Sequence, residues 1–165
     1  MKVMRENKKN LLLVFFILSI ILSLFFINTP KMLPELEFNI LGDQKLLTKD
    51  LENKVVILNF WATDCATCIK EMPALTQIHN KYKNDIELIA VAMPYDLPSR
   101  VINFKDKNQI PFKIALDSDG KILQKFNKVR LTPTTIITNK NHIIQNTIIG
   151  EINYESLDKL ISNLR

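Results

Sequence analysis

The only two cysteines of the chain, Cys65 and Cys68, stand two residues apart in Trp61-Ala62-Thr63-Asp64-Cys65-Ala66-Thr67-Cys68. A CxxC placed directly after an apolar run, here Val55 to Phe60, reads as a redox pair at a strand-to-helix turn. With no third cysteine to complete a metal site or an internal relay, the pair acts alone or on a partner's thiols. Cys65 at a helix start lies near unpaired backbone N–H groups and the positive dipole end, which favour thiolate and make it the nucleophile. Cys68 falls on the same helical face, where it can attack a mixed disulfide on Cys65 while shielded from solvent. The competing readings are a structural disulfide and a zinc half-site. Structural zinc takes four ligands, and His79 and His142 have no paired spacing, so both read as ordinary surface or satisfied residues.

The elements that would hold this pair follow from periodicity. Val55 to Phe60 is a nearly continuous, β-branched run, as a strand buried on both faces requires, and it should be central. Cys65 to Lys83 is helical, and Ile86 to Met93 repeats the buried-strand pattern, so the two strands should lie parallel. Ser99 to Asn108 adds a helix, Ile114 to Leu116 a short strand before the Asp117-Ser118-Asp119-Gly120 turn, and Ile122 to Phe126 a helical turn. Leu131 to Thr138 and His142 to Ile149 read as an antiparallel hairpin, and Tyr154 to Leu164 as an amphipathic closing helix. Upstream, Leu36, Phe38 and Ile40 alternate with polar residues as a first strand at the domain edge. Lys45 to Leu51 fits a turn of helix, capped by Thr48 or Asp50.

The N-terminus is of another kind. Leu11 to Ile27 carry no charge over seventeen residues, a helix of roughly 26 Å, near the hydrocarbon thickness of a bilayer. Lys2, Arg5, Lys8 and Lys9 against Glu6 should keep the leading end cytoplasmic and export the remainder. Residues 1–9 are thus expected to be a cytoplasmic basic segment, 10–28 a transmembrane signal anchor, and 29–165 a single domain whose first strand starts near residue 36. A cleaved signal peptide is the competing reading, but Phe25-Phe26-Ile27-Asn28-Thr29-Pro30 offers no small-x-small site. The chain's net charge of +5 lies mostly in this leader, so the domain carries no nucleic-acid footprint.

Four motifs carry a family resemblance: Asn59-Phe60-Trp61-Ala62-Thr63, Glu71-Met72-Pro73, Leu116-Asp117-Ser118-Asp119-Gly120-Lys121 and Thr132-Pro133-Thr134-Thr135. Over roughly residues 36 to 165 the chain resembles the membrane-anchored thiol-disulfide oxidoreductases of the TlpA/ResA/DsbE type. The resemblance implies an α/β thioredoxin fold, a mixed sheet flanked by helices, behind one transmembrane helix. It departs from the family at Asp64, where a large residue is usual, and at Ala66-Thr67, where a proline-containing dipeptide is frequent. Redox potential and partner choice are the properties these positions touch. Asn59 stands near where cytoplasmic thioredoxins carry a buried acid, so another group should handle the Cys68 proton. Glu71 matches a glutamate of the ResA-like group implicated in active-site proton chemistry; its other reading is an exposed helix residue. Pro133 matches the family's cis-proline, which would leave the Thr132 backbone open to pair with a substrate strand. Trp61 is expected beside the cysteines, either as an apolar surface toward substrate or as core, and Pro73 as a helix kink.

The resulting expectation is a bacterial inner-membrane, single-pass enzyme facing the periplasm or outside. It reduces disulfides in exported proteins, as in cytochrome c or oxidase copper-site maturation. A membrane electron-donor protein would resupply it, with no cofactor beyond the Cys65–Cys68 disulfide. The alternatives are a peroxiredoxin-like thiol peroxidase, with Thr63 near the nucleophile and Arg100 or Arg130 to activate it, and a Sco-like copper chaperone, whose CxxxC spacing differs from that here.

Overall fold

The computed structural model describes residues 13–20, 22–23, 30–127 and 129–165, in two units, Met1–Lys31 and Met32–Arg165. In the first unit residues 13–20 and 22–23 are helical and exposed. Nine of the nineteen residues of the expected anchor, 10–28, and all of the basic segment 1–9 lie outside the described residues. Among the described residues no helix is long and apolar enough to cross a membrane.

The second unit is built on one seven-stranded sheet. Its strands are β1 (Glu37–Ile40), β2 (Gln44–Leu47), β3 (Val55–Trp61), β4 (Ile86–Ala92), β5 (Lys113–Leu116), β6 (Thr134–Thr138) and β7 (Ile144–Ile149). The spatial order is β2-β1-β5-β4-β3-β6-β7. β3 pairs parallel with β4 and antiparallel with β6, and β4 pairs parallel with β5. The helices are α1 (Ala66–Tyr82), α2 (Pro98–Asn108), α3 (Lys121–Gln124) and α4 (Tyr154–Leu164). This is the thioredoxin-like α/β fold with a mixed sheet.

β3 is interior because every one of its side chains is buried, and its alternation decides which layer each enters. Val55, Ile57 and Trp61 join the cluster beneath α1, α2 and α4, with Leu75, Val101, Leu157 and Ile161. Val56, Leu58 and Phe60 face the opposite layer, with Phe38, Leu51, Ile122 and Phe126. The odd-numbered face therefore looks toward the helix that begins at the CxxC. α1 buries Cys68, Glu71, Met72, Leu75, Ile78 and Tyr82, a three-and-four spacing that lays one stripe on the sheet. Pro73 sits within α1, on its exposed side. α4 is started by Asn153, whose side chain accepts from the Ser156 N–H at 2.9 Å, and is tied to α1 by Asp158, which accepts from Lys81 Nζ and Tyr82 Oη.

Two local expectations are corrected. Residues 45–51 do not form a helical turn throughout: Gln44–Leu47 is strand, and only Thr48–Leu51 is a short 3-10 helix. The reason is the turn at Gly42 and Asp43, both with positive φ, which folds β2 back on β1 as an antiparallel hairpin. Consequently β1 is not at the edge; β2 covers it on one side and β5 on the other. Of the two proposed caps Asp50 acts as one, its carboxylate accepting from the N-cap Leu47 N–H at 3.0 Å, whereas Thr48 Oγ1 accepts from the distant Leu36 N–H at 2.9 Å and caps nothing.

Candidate active site

Parallel β3 and β4 deliver their following loops to the same edge of the sheet, and the CxxC lies on the first of these. Cys65 is the N-cap of α1, in an extended conformation, and its Sγ accepts from the Cys68 N–H at 3.2 Å. The two cysteines are disulfide-bonded, with Cα atoms 5.2 Å apart. Cys65 is half-buried, while Cys68 is 0% exposed. Only one sulfur of the pair is therefore open to attack or able to attack an outside molecule. The N–H that meets Cys65 Sγ in the disulfide is also placed to stabilise a thiolate there after reduction. Thr67 Oγ1 lies 3.5 Å from the same sulfur, a contact in which either atom could be the donor in the reduced state.

Behind the disulfide is a polar group sunk in the core. Asn59 is the one polar residue on the odd-numbered face of β3, and it donates through Nδ2 to Glu71 Oε1 at 2.7 Å and to Thr135 Oγ1 at 3.0 Å. Glu71 Oε2 accepts from the Ile152 N–H at 3.0 Å. Glu71 is 1% exposed, so it is not a solvated helix glutamate. The carboxylate missing from the strand at position 59 is thus supplied from the helix above it, one turn beyond Cys68. Burial pushes the Glu71 pKa above the ordinary value of 4.5, against the lowering effect of its bonds to Ile152 and Asn59.

The sign of that shift fixes a pH dependence. Because the folded pKa is the higher one, the fold binds this proton more tightly than the unfolded chain. Glu71's contribution is then full below pH 4.5 and is lost as pH rises through the raised value. Urea unfolding of Glu71→Gln and of the unmodified protein between about pH 4 and 8 should give curves that differ in slope, the variant losing this decline. Parallel curves would mean that Glu71 titrates normally. The variant should also be less stable by about 1–3 kcal/mol at acid pH, since an amide must turn a donor toward either Asn59 Nδ2 or the Ile152 N–H.

On the other flank, the Thr132–Pro133 peptide is cis, as the resemblance implies. Thr134 Oγ1 donates to the Leu131 carbonyl and the Gly150 N–H to the Pro133 carbonyl, but among the described residues the Thr132 backbone has no hydrogen bond. Trp61 requires a correction. It is 0% exposed, stacked in a tilted contact on Phe104 of α2 at 5.0 Å between ring centroids, and so presents no surface to a substrate. The last residue of β3 points under α2 rather than outward. Exposed apolar surface comes instead from Ile69 and Leu131, the neighbours in sequence of Cys68 and Thr132.

Asp96, which sequence reasoning did not single out, is buried, and its carboxylate accepts the Thr63 N–H at 2.6 Å and the Thr63 hydroxyl at 2.8 Å. An acid in Pro94-Tyr95-Asp96-Leu97-Pro98, held between two prolines just after a buried strand, is the signal that could have found it. Thr63 is thus committed to the loop after β4, on the side away from the role that a peroxidase would give it. His142 places Nε2 3.0 Å from the Leu51 carbonyl, whereas His79 is half-buried against Phe112 with Nδ1 unpartnered. Among the described residues no group of three or more His, Cys, Asp or Glu side chains is placed to hold a metal ion.

A half-buried, helix-capping cysteine backed by a fully buried one, on a thioredoxin-like scaffold, defines a dithiol-disulfide exchanger. The chain belongs to the AhpC/TSA family, which it matches over residues 30–147. It is 32% identical to the thiol-disulfide oxidoreductase ResA of Bacillus thuringiensis subsp. konkukian over 125 residues, 75% of this chain and 71% of that one. Over 128 residues it is 30% identical to the thioredoxin-like protein YneN of Bacillus subtilis, covering 76% of this chain and 74% of that one. A solved thiol:disulfide interchange protein of the thioredoxin family from Chlorobium tepidum superposes with a TM-score of 0.76 at 18% identity. That match covers 82% of this chain and 97% of that one and speaks to the fold alone. The protein is a thiol-disulfide oxidoreductase of the TlpA/ResA/DsbE type.

Proposed function

We propose that this oxidoreductase reduces disulfides in exported proteins, held by an anchor at residues 10–28 to the outer side of a bacterial cytoplasmic membrane. The observation that carries the reading is the unequal exposure of the two sulfurs. In the reduced enzyme the Cys65 thiolate attacks a substrate disulfide, forming a mixed disulfide and releasing one substrate thiolate. Cys68 then attacks Cys65 Sγ, the second substrate thiolate leaves, and the Cys65–Cys68 disulfide forms as two electrons pass from the enzyme's cysteines to the substrate. A membrane electron donor restores the dithiol, with no cofactor beyond the cysteines. The Thr132 backbone supplies a strand edge for the substrate, and Glu71 takes or returns the Cys68 proton. The apolar stretch and basic flank of the first 28 residues support the anchor. Cysteines of apocytochrome c or of an oxidase copper site are the substrates suggested by the resemblance.

The test is the equilibrium reduction potential against glutathione, with Cys65→Ser and Cys68→Ser as controls. A value near or below about −220 mV is expected of a dedicated reductase. A value near about −120 mV would make the protein a disulfide donor and reverse the direction proposed.

A further inference from the structure

Beside the CxxC turn lies an open cleft of about 350 Å³ lined by Thr63, Asp64, Arg100, Asn103, Phe104 and Lys107. Four of these come from α2 at spacings of three, four and seven, so they form one helical face turned toward the turn that carries the nucleophile. Phe104, one of the lining residues, packs on the buried Trp61, and Arg100 and Lys107 bring two cationic side chains to the lining. Among the described residues neither cation has an ion-pair partner. Asp64 is the one anion in the lining, and the Asp96 carboxylate, which accepts from Thr63 and keeps its charge, lies behind that residue. The lining itself thus holds two cations against one anion, an excess that the Asp96 charge behind Thr63 partly offsets.

We infer that this cleft is a specificity subsite for a carboxylate carried by the substrate, an Asp or Glu within about three residues of its reactive half-cystine. The inference rests on Cys65 being the attacking sulfur. Asp64, which lines the cleft, immediately precedes Cys65, with Cα atoms about 3.8 Å apart. An extended substrate advances about 3.3 Å per residue, which brings side chains one to three positions from its sulfur over the cleft. Arg100 offers a planar fork suited to a carboxylate, Lys107 a second charge about two turns along the helix, and Asn103 a neutral donor between them. Asp64 repels the same group and limits the gain, which makes the position a tuner of substrate choice. The exposure of both cations keeps each contact small, so discrimination is a matter of severalfold and is screened by salt.

The test uses the reduced full-length protein in detergent and a set of peptide disulfides that differ only in Glu or Gln at each of the three positions on either side of the cysteine. At low ionic strength at least one Glu peptide should show a KM about fivefold below its Gln twin with kcat little changed, an advantage lost near 0.5 M salt. Arg100→Ala combined with Lys107→Ala should bring that Glu-to-Gln ratio to one, and Asp64→Asn should widen it. The ratio is read within one protein preparation, so a partly unfolded variant does not mimic the effect. Equal KM values at every position, or a ratio unchanged in the double variant, would overturn the subsite while leaving disulfide exchange standing. A ratio that survives high salt, or an arginine-and-lysine-dependent advantage seen with glutathione disulfide but with no peptide, would overturn the assignment to a protein substrate. Failure to reduce even the Gln peptides would sink the exchange reading and the subsite together.

Discussion

Cys68→Ser is expected to stall the enzyme halfway, with each molecule holding one substrate through Cys65. The buried cysteine has no route to an outside disulfide, being wholly enclosed, so its one accessible target is the sulfur of Cys65 three residues before it. Its removal leaves attack intact and deletes release. Multiple turnover should fall roughly a thousandfold or more, the scale met when one member of a group that acts as a unit is lost. Mass spectrometry of the quenched reaction should show a stoichiometric adduct of protein plus substrate thiol, reversed by dithiothreitol. Cys65→Ser should lose turnover equally and form no adduct. If Cys68→Ser formed none while Cys65→Ser did, the roles of the two sulfurs would be exchanged.

The second large effect concerns stability. Trp61→Ala removes the ring that fills the space between the end of β3 and Phe104, in a cluster shared with α1, α2 and α4. A loss of about 3–5 kcal/mol follows from truncating a fully buried aromatic residue, a large part of the 5–15 kcal/mol that holds a domain of this size. The melting temperature should drop by about 10 °C or more. Trp61→Phe is the informative companion. Trp61 Nε1 is buried with no partner, so phenylalanine gives up volume but also removes an unsatisfied donor, and its cost should stay near 1 kcal/mol. Thermal unfolding of the two variants checks both numbers. A Trp61→Ala loss below about 1 kcal/mol would mean that the ring is not packed as described.

How much of this was legible in the chain depends on the range of the cause. The β3 strand, the CxxC turn and α1 could be read from Val55 to Lys83 because burial there follows the local alternation and the three-and-four spacing. Glu71 was readable as a candidate, but its enclosure was not, because that depends on Asn59 and on Ile152, 81 positions away. The β2 strand was missed because Lys45-Leu46-Leu47 has no strong pattern of its own and becomes a strand through pairing with β1. Of the two readings open for Trp61, substrate-facing surface or core, the structure selects core, a choice the local sequence could not make because what covers the ring is Phe104 on another helix. The basic face of α2 went unremarked for the same reason: Arg100 and Lys107 look like ordinary surface charges until the fold sets them against Asp64.

The two bonds from Thr63 to Asp96 join positions 33 apart and close a ring of chain that runs through α1 and β4, with the CxxC at its rim. No sulfur takes part in that closure. Breaking the Cys65–Cys68 bond therefore removes neither of the two hydrogen bonds of the clasp.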